Sequence, residues 1–114
     1  SRLNYCNGNR CIAMGQDKFI VTIDADLEEL IPGFMENRRQ DIEKLLSASA
    51  NGDFECLRSI GHSLKGVGGG YGFMRITELG AAIETAAREK NTDIARKCII
   101  ELSEYLQGVE IRYE

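Results

Sequence analysis

At 114 residues, with 43% apolar and 28% charged side chains, the chain has the composition of one soluble globular domain. A formal net charge of −4, with Lys and Arg scattered rather than clustered, leaves no footprint for nucleic acid or an anionic membrane surface. No apolar run approaches the ~20 residues of a membrane span, and no signal-peptide pattern opens the chain.

Residues 1–17, SRLNYCNGNRCIAMGQD, show no periodicity and many turn formers. Residues 1–18 are therefore expected to form a leader of little fixed structure, with the folded domain over 19–114. Cys6 and Cys11 in this leader have no further His or Cys nearby to complete a zinc site. Cys56 and Cys98 fall on apolar helical stripes, where a thiol behaves as a small hydrophobe. This is not a disulfide framework, and a reducing cytoplasm is the expected setting.

KFIVTID, residues 18–24, reads as a short extended lead-in too isolated to make a sheet, so strand content is expected to be close to nil. Asp24 or Asp26 then offers an N-cap for a short helix with Glu28 and Glu29 in its first turn. Pro32 suits the first turn of a longer helix, with Phe34, Met35, Ile42, Leu45 and Leu46 on one face, ending at Asn51-Gly52-Asp53. Asp53 caps the next, whose stripe is Leu57, Ile60, Leu64 and Val67. Ile76, Leu79, Ile83 and Ala87 mark another, and Ile94, Cys98, Leu102, Tyr105 and Val109 the last. Four long amphipathic segments joined by short turns predict an all-α fold, an antiparallel four-helix bundle with a short extra N-terminal helix.

The only histidine stands in HSLKGVGGGYG, residues 62–72. At ~100° per residue, His62 falls roughly 180° from the centre of the Leu57–Val67 stripe, so it faces away from the core. Residues three, four and seven positions away share its face: Arg58, Ser59, Lys65, Gly66 and Gly69. An exposed imidazole beside a lysine, on a patch of bare backbone, suits a surface over which another protein closes. The bland alternative is an incidental surface histidine. A helix-terminating loop accounts for some of Gly68–Gly72, but Gly66 and Gly69 lie where each glycine costs ~0.5–1 kcal/mol of helix stability. Neutral imidazole leaves one ring nitrogen nucleophilic, and Lys65 would offset the charge of a phosphoryl group bound there. No second histidine supports a metal pair, and no Ser-His-Asp order or nucleophile elbow is present. The spacing from Gly61 to Gly66 is that of a P-loop, but Val67 stands where its lysine must be.

HSLKGVGGGYG resembles the H-x-L-K-G-x5-G signature of histidine phosphotransfer (HPt) domains, with His62, Leu64, Lys65, Gly66 and Gly72 in register. The likeness extends over about residues 20–112, taking in IDADLEELIPGFMENRRQDI and LGAAIETAARE. It implies a phosphorelay carrier with no kinase activity of its own. His62 would accept a phosphoryl group on Nε2 from a receiver-domain aspartate or a sensor histidine kinase, then pass it to another receiver. Lys65 would help hold that group, and Gly66 would leave room for the receiver. Glu84, on the following helix, would bond the other ring nitrogen, and Arg88 one turn on would flank the site. Residues alone make Glu84 and Arg88 an i, i+4 surface ion pair worth at most ~0.5 kcal/mol. The run GVGGGYG is richer in glycine than many members and leaves open how far the helix continues past Val67.

No intrinsic cofactor is implied; Mg2+ belongs to the partner receiver. A cytoplasmic monomer is expected. Two other readings compete: a helical docking module whose histidine is never phosphorylated, and a redox or metal module built on Cys6 and Cys11.

Overall fold

The computed structural model describes residues 19–114; the leader, with Cys6 and Cys11, lies outside the described residues. Four helices carry the fold: α1 (Ile31–Asn51), α2 (Phe54–Gly70), α3 (Met74–Arg88) and α4 (Thr92–Gly108). Their ends follow from local chemistry. Pro32 opens α1, and Gly52 closes it in the left-handed region at φ 69°, where a glycine carries no Cβ penalty. The Asp53 carboxylate accepts from the Cys56 amide at 3.1 Å to cap α2, and Asn91 Oδ1 accepts from Ile94 to cap α4. Connections of two or three residues fold each helix back on the one before. α1 packs on α2 and α4, and α3 packs on the same two.

Leu45, Leu57, Leu64, Ile76, Ile83, Ile99 and Leu102 fill the centre, each fully buried. The apolar stripes predict these helices and most of this core. Leu46 and Ile94 are corrections: both are about half exposed, at 47% and 44%. Leu46 is one residue, roughly 100° of helix, past the inward-facing Leu45, and Ile94 lies in the first turn of α4 beside the buried Ala95. The short N-terminal helix is a 3-10 helix, Ala25–Leu30, capped by Asp24, whose carboxylate accepts from the Asp26 amide at 2.9 Å.

The expectation of almost no strand fails at both ends of the described chain. β1 (Phe19–Ile23) pairs in parallel with β2 (Val109–Tyr113), Phe19 opposite Val109 and Ile23 opposite Tyr113. Parallel strands need a long crossover, and here the whole bundle serves as that connection. Val109 is therefore not the last residue of a helical stripe but the first of a strand. Ile23 is buried, with Val21, Val109 and Ile111 packed against the core, so the lead-in has an apolar face to bury and a partner to satisfy its backbone. Backbone bonds from Glu114 to Ile23 and from Ala25 to Glu114 close the pair.

Candidate functional site

His62 projects from the middle of α2, its side chain 67% exposed. The helical period that buries Leu57 and Leu64 turns it outward, as the wheel predicts. α2 continues to Gly70, so the glycine run is mostly helix, and only Gly72, at φ 90°, takes a turn conformation suited to glycine.

Across from His62 on α3 stands Glu84, whose side chain is only 8% exposed. Its Oε2 lies 3.1 Å from His62 Nδ1 and 3.2 Å from an Arg88 guanidinium nitrogen, while Oε1 lies 3.0 Å from Lys65 Nζ. One buried carboxylate thus joins three of the residues singled out from the sequence. The Lys65 ammonium, bonded to Oε1, holds the Glu84 carboxyl below the usual carboxylate range; burial opposes this, and the contact with His62 reinforces it. Glu84 is accordingly an ionised acceptor at neutral pH. An ionised carboxylate can only accept, so a hydrogen bond at this contact requires the hydrogen on Nδ1, which leaves the Nε2 lone pair free.

The remaining residues surround this junction without joining it. Arg58 is half-buried and pairs at 2.7 Å with Glu55 on its own helix. Ser59 and Gly69 are exposed. A Cβ on Gly66 would meet nothing within 4 Å, and one on Gly69 would meet only Thr77 Oγ1 at 3.5 Å and Met74 Sδ at 4.0 Å. An open recess of about 430 Å³ beside His62 is lined by Asp53, Glu55, Cys56, Arg58 and Ser59.

Two features of the site escape a reading of residues alone. Glu84 is not half of a solvated surface pair, and Lys65 is bonded to it. The signal for the first is its spacing: Glu84 follows the buried Ile83 and falls one turn after Gly80, on the side of α3 that meets α2. Half-buried Cys56 also lines the recess, though it reads as a core residue. Among the described residues no group of three or more His, Cys, Asp and Glu side chains is placed to hold a metal, and no helix is long and apolar enough to cross a membrane.

No curated protein and no solved structure matches the chain. A family model, that of the Hpt domain, matches residues 18–111, from the start of β1 through all four helices into β2. A match of that extent, on a helical bundle that exposes its one imidazole, shows that the chain belongs to the Hpt domain family, which implies a phosphotransfer carrier role in phosphorelays.

Proposed function

We propose that His62 is the phosphoacceptor, and that this chain takes a phosphoryl group from a receiver-domain aspartate or a sensor histidine kinase and hands it to another receiver aspartate. The observation that carries the reading is the exposed imidazole with Nδ1 3.1 Å from a carboxylate that Lys65 keeps ionised. The Nε2 lone pair attacks phosphorus, the bond from phosphorus to the aspartyl oxygen breaks, and its electron pair leaves with the carboxylate. The hydrogen stays on Nδ1, so no proton transfer accompanies the step. Onward transfer is the reverse with a second aspartate.

Lys65, its side chain 43% exposed and its Nζ 3.0 Å from Glu84 Oε1, can turn from Glu84 to a phosphoryl oxygen. Arg88 then remains as the cation on Glu84. Arg58, Ser59, Gly66 and Gly69 form the docking face, bare at Gly66 so that a receiver can approach the imidazole. The divalent cation of this chemistry belongs on the receiver. Incubation with a receiver domain charged by acetyl phosphate, followed by mass measurement and site mapping, tests the reading. Label on His62, lost in a folded His62→Gln variant, is expected. Label elsewhere, or none on the wild type, leaves a docking module instead.

A further inference from the structure

Two buried glycines bring α2 and α3 into backbone contact beside the His62–Glu84 bond. A Cβ built on Gly61 would stand 2.8 Å from the backbone nitrogen of Glu84, 2.9 Å from the carbonyl oxygen of Gly80 and 3.2 Å from Glu84 Cα. One built on Gly80 would stand 2.6 Å from the backbone nitrogen of Lys65, and 2.8 Å from both the Gly61 carbonyl oxygen and Leu64 Cβ. Real Cβ atoms essentially never come within 3.0 Å of such neighbours, and backbone cannot swing aside, so any side chain here must push the helices apart.

The atoms these glycines touch belong to the site itself. Gly61 precedes His62 and abuts Glu84; Gly80 lies one turn before Glu84 and abuts Lys65. The bonds they frame, at 3.1 and 3.0 Å, have little slack, because a contact stretched to ~3.6 Å is no longer a hydrogen bond. A wedge of a few tenths of an ångström between the helices acts directly on that margin.

We infer that Gly61 and Gly80 are positioning residues for phosphoryl transfer: by letting the backbones of α2 and α3 touch, they hold the Glu84 carboxylate in reach of His62 Nδ1 and so set which ring nitrogen carries the hydrogen. The inference rests on His62 being the phosphoacceptor. Its test is the tautomer of the neutral imidazole, read by nitrogen-15 NMR on the full chain. In folded Gly80→Ala, and in Gly61→Ala beside it, the majority form shifts from Nδ1–H to Nε2–H, and the rate of phosphoryl uptake falls. Leu102→Ala, which opens a cavity at a fully buried site in α4, lowers the melting temperature but leaves the tautomer in place. An unmoved tautomer in a folded glycine variant, or an equal shift in Leu102→Ala, overturns the inference. So does the failure of both glycine variants to fold, since the glycines would then serve the bundle and not the site. Phosphoryl labelling of the wild type is read separately: labelling at His62 with an unmoved tautomer sinks this inference alone, whereas no labelling sinks the phosphoacceptor reading beneath it.

Discussion

Glu84 changes character between the sequence and the structure. On a helical wheel it is the acidic half of a surface pair with Arg88. In the fold it is buried, and Lys65, Arg88 and His62 converge on its two oxygens. In the proposed function such a carboxylate would act on the imidazole by choosing its tautomer, the way a metal-binding histidine is oriented by the group behind it. Replacing Glu84 with Ala should move the hydrogen of neutral His62 from Nδ1 toward Nε2, which nitrogen-15 NMR resolves; an unmoved hydrogen would reduce Glu84 to an anchor for Lys65. Gly66 supplies the complementary test. Nothing lies within 4 Å of where its Cβ would be, and Leu is the better helix former by ~0.6–1 kcal/mol. Gly66→Leu should therefore melt no lower than the wild type yet transfer phosphoryl groups poorly. Unimpaired transfer would mean that no receiver comes close to this turn.

Among the elements, the parallel strand pair is the one that local pattern could not predict. FIVTI looks isolated because its partner, VEIRY, is at the other end of the described chain, and Val109 continues a helical stripe closely enough to pass as its last member. The strand pair earns its place by burial: Ile23 is in the core, and Val21 and Ile111 pack on it. Ile111→Asp should destabilise the domain by about 1–3 kcal/mol, since a charge would then face the core without a partner. The same change at exposed Thr22 should stay within ~0.5 kcal/mol. Urea midpoints of the two variants decide the matter, and equal midpoints would show that the strands add nothing to the fold.

For the whole molecule, the Glu84 junction ties stability to pH. Its carboxyl titrates lower in the folded chain than the ordinary value of 4.5, so folding favours the ionised form. That contribution is fully present above pH 4.5 and fades as the pH falls through the lowered folded value. Glu84→Gln lacks it. The melting-temperature gap between wild type and Glu84→Gln should be widest near neutrality and close on acidification below pH 4.5; a gap that stayed constant would remove the ion pairs from the account.

The sequence by itself determined what depends on neighbours within a turn or two. The helix cap at Asp53, the apolar stripes, the outward direction of His62 and its company of Lys65 and Gly66 all follow from a period of ~3.6 residues and short-range hydrogen bonding. The family signature belongs to this class, because most of it lies on one helix face. Tertiary structure alone decided the rest: the pairing of β1 with β2, the exposure of Leu46 and Ile94, the burial of Glu84 and its bond to Lys65. Each of these depends on which elements meet, on which faces and how closely, and a stretch of chain read by itself does not specify its neighbour. Gly61 against Gly80 lets α2 and α3 close to backbone contact, and neither residue's own stretch of helix specifies what it will touch.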